Sequence, residues 1–182
     1  MIQIRPQATI ADLYKVREKA ELIGGEVVVM SPASAGHGRT SGIIFNRLLE
    51  YEQRSGIGVA FPDNVGFLVN LPNRQSFSPD VAYYYGSYNE EEFVNGAPDF
   101  AVEVRSPEDS ATVAESQLAA KRADYFAAGT AVVWDVDMVR EKLIRVYRAA
   151  TPNQPAVYGI GQLAEAEPIL PGWTFNVADL SR

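Results

Sequence analysis

Hydrophobic positions along the chain fall into two kinds of pattern: short runs suited to strands, and two longer stretches with helical spacing. Residues 9–19 read as a short helix with Ile10, Leu13, Tyr14 and Val16 on one side. Thr9 is its candidate N-cap and Asp12 lies in the first turn. Residues 21–30 read as a hairpin turned at Gly24-Gly25, a pair that tolerates positive φ. A loop rich in Ser, Ala, Gly and Pro follows over 31–38.

The first long helix is expected over 38–54, with Ile44, Leu48 and Tyr51 as its stripe and Phe45 and Leu49 beside it. His37 stands at its N-terminal edge, in line with that stripe. Strands are expected over 56–62, 66–69, 77–85 and 99–105, and residues 89–92 read as a solvated helix start. The second long helix spans 111–127 and stops at Gly129 as a C-cap. Residues 131–136 and 142–147 form a hairpin, with one more strand near Val157 and a turn at Pro171-Gly172-Trp173. Strands interleaved with two long helices give an α/β or α+β fold. The expectation is one domain over 1–182, with 1–20 as an N-terminal helical extension and a core of about 21–180.

Two acids break the strand pattern. Asp80 lies in Ser-Pro-Asp-Val-Ala-Tyr, and Glu103 in Asp-Phe-Ala-Val-Glu-Val-Arg. A carboxylate among apolar strand residues is costly to bury without a cation, a metal or exposure at a strand end. Magnesium takes one or two carboxylates together with water and substrate phosphate. Asp80, Glu103 and the backbone carbonyl of Val104 would supply that set. The plain alternative is two exposed acids, or an acid paired to an arginine.

Arg105, two positions after Glu103, points to the same face of a strand. It either neutralises an acid or holds a phosphate; a structural ion pair with Glu103 or Glu108 explains it equally well. Lys121 falls on the core-facing stripe Ala114, Leu118, Lys121, Tyr125 of the second helix. A lysine there must snorkel out or find carboxylates inside, and Asp80 and Glu103 are the available acids. Gln117 shares its side one turn earlier. Glu21 and Glu26 flank the Gly-Gly turn as possible accessory acids, although such glutamates are usually solvated. His37, the one histidine, is a candidate base or substrate contact, or simply a cap. Asp135 is a further acid in an apolar strand, best explained by a partner such as Arg122 or Arg145.

Composition narrows the classes. The 182 residues are 47% hydrophobic, enough for a real core. The absence of cysteine excludes a disulfide scaffold, a thiolate zinc site and a cysteine nucleophile. No apolar run approaches a membrane span, and the N-terminus lacks the layout of a signal peptide, so a cytoplasmic protein without membrane partners is expected. The net charge of −7 runs against the basic footprint of nucleic-acid binders and leaves room only for a local basic patch.

Pro79-Asp80, then Glu103-Val104-Arg105, then Lys121 on the following helix resembles the PD-(D/E)xK nuclease superfamily, with the lysine moved from position 105 to the helix. More closely, the chain resembles the Uma-two family of restriction-endonuclease-like proteins. The matching stretches are residues 21–26, Ser31-Pro32 with His37-Gly38, 78–82, 98–107, 121–129, 133–136 and 170–173. The resemblance implies a restriction-endonuclease-like core, a mixed sheet flanked by helices, to which this chain adds the N-terminal hairpin and C-terminal strands. It also implies cleavage of DNA dependent on Mg²⁺ or Mn²⁺, with Asp80 and Glu103 as ligands and Lys121 as the catalytic lysine. A homodimer would suit cutting of both strands. Two other readings stand beside this one: a catalytically silent binding or assembly module on the same fold, and a metal-dependent hydrolase of another phosphate ester.

Overall fold

The structure is a computed structural model that describes residues 7–107 and 112–181. The N-terminal turn α1 (Ile10–Leu13) leads into the hairpin β1 (Ala20–Ile23) and β2 (Glu26–Val29). Then come α2 (Ala35–Ser55), β3 (Val59–Phe61), β4 (Phe67–Leu71), β5 (Arg74–Phe77), β6 (Val81–Tyr84), β7 (Val94–Asn95) and β8 (Phe100–Val104). The second half holds α3 (Thr112–Ala128), β9 (Val132–Asp137), β10 (Leu143–Arg148), β11 (Ala156–Gly159), β12 (Leu163–Glu165) and β13 (Thr174–Asn176).

Two mixed sheets carry the fold. One has the order β2-β1-β5-β4-β7, and the other β11-β10-β9-β8-β6-β3; β12 and β13 pair separately. In the larger sheet β8 and β9 run parallel while the other neighbours are antiparallel. This is the expected α+β architecture, including the N-terminal hairpin and the C-terminal strands.

Alternation along the strands sorts the larger sheet into two faces. Val81, Tyr83, Phe100, Val102, Val104, Val132, Trp134 and Val136 pack against Ile44, Leu48 and Tyr51 of α2 and against the C-terminal residues Leu170, Trp173, Phe175 and Val177. Ala82, Ala101 and Val133 point the other way, toward Tyr125 of α3 and toward Phe67, Phe77 and Val94 of the smaller sheet. The acids share this second face, in the seam where α3 and the two sheets meet.

Several elements differ from the sequence expectation. The first helix is a single turn. Thr9 caps it, its backbone N–H and its hydroxyl donating to Asp12 Oδ2 at 3.0 and 2.8 Å. A short isolated helix has little stability of its own, and the chain is drawn early into the hairpin, where Met30 N–H donates to the Lys19 carbonyl at 2.9 Å. Residue 20 therefore belongs to a strand rather than to a helical extension.

The helix α2 begins at Ala35, inside the expected loop. The glycines at 36, 38 and 42 weaken the helical signal, but the Ser34 hydroxyl accepts from His37 N–H at 3.3 Å and starts the helix. The hairpin turn has the predicted form, with φ of 58° at Gly24 and 77° at Gly25.

The expected strand over 77–85 is two strands in different sheets. Ser78-Pro79-Asp80 carries the chain from β5 to β6, and Pro79 has no N–H to continue a ladder. Asp80 therefore precedes β6 instead of lying within it. Residues 89–92 form an exposed turn, not a helix start: Glu92 N–H donates to the Asn89 carbonyl, and the Asn89 side chain accepts from Glu91 N–H. The strands β5, β7, β12 and β13 are too short or too polar to stand out in the sequence. Position 111, the expected start of the second long helix, and Glu108 lie outside the described residues.

Candidate active site

Asp80 and Glu103 enter the seam from adjacent strands. The register pairs Val81 with Val102 and Ala82 with Ala101, and one step further Asp80 N–H donates to the Val102 carbonyl at 3.1 Å. Both acids thus lie on the Ala82–Ala101 face, beside each other. Asp80 is buried; Glu103 keeps 14% of its side chain exposed.

Each acid has its own partners. Asp80 Oδ1 accepts from Lys19 Nζ at 2.6 Å and lies 3.1 Å from His37 Nε2, while Oδ2 accepts from Val104 N–H at 2.7 Å. Glu103 accepts from Lys121 Nζ at 2.8 Å and from the Tyr125 hydroxyl at 2.7 Å. Lys121 Nζ also lies 2.9 Å from Glu21, a residue only 1% exposed. Glu21 in turn accepts from Ser78 N–H at 2.9 Å and from Arg74, whose Nε reaches Asp124 at 2.8 Å.

The electrostatics follow from this packing. Burial raises the Asp80 pKa, but His37 and Lys19 outweigh it and hold the carboxyl well below the usual range. Glu103 is pushed up by burial; Lys121 draws it down, and the neighbouring charges of Asp80 and Glu21 add to the rise. Burial would depress Lys121, yet Glu103 and Glu21 lift it above its ordinary value, so it is a fixed cation. His37 is raised chiefly by its hydrogen bond to Asp80, against its own burial. Lys19 is raised overall: burial opposes its charge, and Asp80 and Glu103 favour it more strongly.

Of the residues singled out in the sequence, the structure gathers Asp80, Glu103, Lys121, Glu21 and His37, with Val104 joining through its backbone. Lys121 bonds to Glu103 and Glu21, and Asp80 acts on it only through its charge. Arg105 is turned away to Asp135, at 2.6 and 2.7 Å, and to Glu115 at 2.8 Å, rather than to Glu103. Asp135 takes Arg105 and, at 3.6 Å, Arg122; Arg145 instead pairs with Glu141. Glu26 is exposed on the edge strand, and Gln117 is exposed on α3.

Sequence reasoning missed Lys19, Asp63 and Arg74. Lys19 sits before the hairpin, where nothing in its spacing marks it. Arg74 lies in a strand, Arg-Gln-Ser-Phe, with no apolar pattern. A cavity of about 350 Å³ opens beside His37 and Val104, with Arg39, Arg105 and Lys142 among its lining.

The donor set fits a divalent ion in the sparse manner of magnesium, which needs one or two carboxylates and fills the remaining positions with water and phosphate. Among the described residues no cluster of three or more His, Asp or Glu could hold an ion as an all-protein cage. Two neighbouring carboxylates are what the site offers.

The sheet order and flanking helices define a mixed α+β protein. The chain belongs to the Uma-two family, described as "Putative restriction endonuclease", whose model matches residues 10–178. It is similar to the crystal structure of "a putative nuclease belonging to DUF820" from Anabaena variabilis. The TM-score is 0.74 at 19% identity, covering 94% of this chain and 96% of that one. At that identity the likeness shows the fold. No curated protein matches the chain. Among the described residues no helix is long and apolar enough to cross a membrane.

Proposed function

We propose that this chain, as one domain over 1–182, is a divalent-metal-dependent endonuclease that hydrolyses phosphodiester bonds in DNA. The observation that carries the reading is the cross-strand pair Asp80 and Glu103 with the Lys121 ammonium 2.8 Å from Glu103. Asp80 and Glu103 would hold Mg²⁺ or Mn²⁺, with Val104 contributing its carbonyl. When bound, the ion supplies Lewis acidity and lowers the pKa of a water.

The chain's own residues divide the remaining work. Lys121, a fixed cation, stabilises charge developing on the phosphate and is not a proton acceptor. Glu21 and Arg74 hold Lys121 and the Ser78-Pro79-Asp80 segment in place. His37 orients Asp80. The cavity beside His37, with Arg39 and Lys142 on its lining, offers the local positive patch that an acidic chain needs to accept a phosphate backbone. Cutting both strands of a duplex would call for two copies, and sedimentation of the protein alone and with DNA measures that.

One observation favours a second reading, a silent module on the same fold: both site acids already have cationic partners from the protein. Incubating supercoiled plasmid and single-stranded DNA with Mn²⁺ separates the two. The endonuclease reading expects nicking by the wild type and a loss of about a hundredfold or more in Asp80→Ala and Lys121→Ala. Equal nicking by all three proteins would identify a contaminant and sink the reading.

A further inference from the structure

Lys19 stands out because its ammonium bonds Asp80 directly, whereas Lys121 bonds Glu103 and Glu21. Its Nζ lies 2.6 Å from Asp80 Oδ1 and 2.6 Å from Asp63 Oδ1. Only 17% of its side chain is exposed, and its charge is also favoured by Glu103. The backbone is pinned, since the Lys19 carbonyl accepts from Met30 N–H at the end of the hairpin. The side chain spans the two carboxylates.

Asp63 differs from Asp80 in one respect that matters. It is 36% exposed, lies outside the strand pair, and is fixed by Asn64 N–H, which donates to its Oδ1 at 2.8 Å. Lys19 therefore has one anchor inside the site and one at its rim. Asp80 Oδ2 accepts from Val104 N–H, and Oδ1 carries Lys19 with His37 Nε2 also 3.1 Å away, so a divalent ion on either oxygen of Asp80 meets the Lys19 ammonium at close range. A divalent ion and an ammonium on one carboxylate would stand within a few ångströms of each other, where like charges repel strongly in a partly buried site.

We propose that Lys19 is a positioning residue that neutralises the Asp80–Glu103 pair before metal arrives and shifts its hydrogen bond to Asp63 as the ion enters. This rests on the metal-dependent reading of the same site. Lys19 then sets metal affinity by competition, whereas Lys121 keeps its bonds to Glu103 and Glu21. Asp63 is the seat that makes the shift possible.

The test is calorimetric titration of the full chain with Mn²⁺, without substrate, for the wild type, Lys19→Met, Lys19→Arg, Asp63→Asn and the Lys19→Met/Asp63→Asn double variant. The expected result is Mn²⁺ binding about tenfold tighter in Lys19→Met and near wild type in Lys19→Arg. Asp63→Asn should bind several-fold more weakly, because Lys19 loses its alternative seat, and that weakening should vanish in the double variant. A merely structural lysine, or a general effect of the Asp63 charge, would not give this cancellation. Binding in the wild type that is unchanged or weakened in a folded Lys19→Met overturns the inference and leaves the metal reading intact. Absence of Mn²⁺ binding in both proteins overturns both. If Lys19→Met does not fold, Asp63→Asn decides, with unchanged or tighter binding counting against the proposal.

Discussion

Arg105 grips Asp135 across β8 and β9 through two parallel hydrogen bonds, Nε to Oδ1 at 2.6 Å and Nη2 to Oδ2 at 2.7 Å. The fork matches the carboxylate in a way a lysine cannot. That geometry explains why an arginine occupies the position where the nuclease motif has its lysine: the side chain has structural work on the neighbouring strand. Arg105→Ala leaves Asp135, 4% exposed, with Arg122 at 3.6 Å as its cationic partner among the described residues. We expect a loss of about 3–5 kcal/mol in urea unfolding, with Mn²⁺ affinity unchanged.

Lys121→Met separates binding from chemistry. The lysine is held by Glu103 and Glu21 and is not a ligand. Plasmid nicking should fall by about 10²–10³-fold while Mn²⁺ binding persists or tightens, since a competing positive charge has gone. A variant that loses metal binding together with activity would contradict the division of roles between Lys121 and the acids.

Glu21 makes stability sensitive to acid. Burial raises its pKa, but Lys121 and Arg74 outweigh burial, so the folded value lies below the ordinary 4.5. A carboxyl depressed in the folded state contributes stability above its unfolded pKa and loses it as the pH falls through the folded one. Glu21→Gln should therefore lower stability near neutrality, by about 3–5 kcal/mol, and flatten the decline below about pH 4.5. Denaturant unfolding at a series of pH values measures both effects.

The far side of the larger sheet should matter for stability and little for chemistry. Trp173 lies 5.2 Å from Trp134 and 6.1 Å from Phe100 between ring centroids, and its indole N–H donates to the Arg47 carbonyl at 3.3 Å. Trp173→Ala should cost about 3–5 kcal/mol. Mn²⁺ affinity measured below the lowered melting temperature should be retained, because the acids lie on the opposite face.

The sequence showed most clearly the elements whose burial leaves a periodic trace. The strands β8, β9 and β10 and the α2 stripe of Ile44, Leu48 and Tyr51 were legible because one face of each meets the core. The acids Asp80 and Glu103 were legible as charges in apolar surroundings, and Lys121 as a cation on a core-facing stripe. Lys19, Asp63 and Arg74 were not legible. Their partners lie 44 to 61 residues away in the chain, and no local pattern encodes such pairings. The division of residues 77–85 between two sheets was hidden for a related reason. Pro79 signals a break, but where the chain goes after it is decided by packing against β8 and by the bond from Ser78 N–H to Glu21.

The crossover at Ser78-Pro79-Asp80 also governs when the centre comes into being. Glu21 arrives with the first sheet, Asp80 with the step between sheets, Glu103 with the second, and Lys121 only with the helix that closes over them. A growing chain emerging from the ribosome has the first acids long before it has the lysine that joins Glu21 to Glu103. An unfinished or clipped copy lacking α3 would thus keep Lys19 beside Asp80 and Arg74 beside Glu21 but leave Glu103 without Lys121. The full centre therefore exists only once α3 has joined the two sheets.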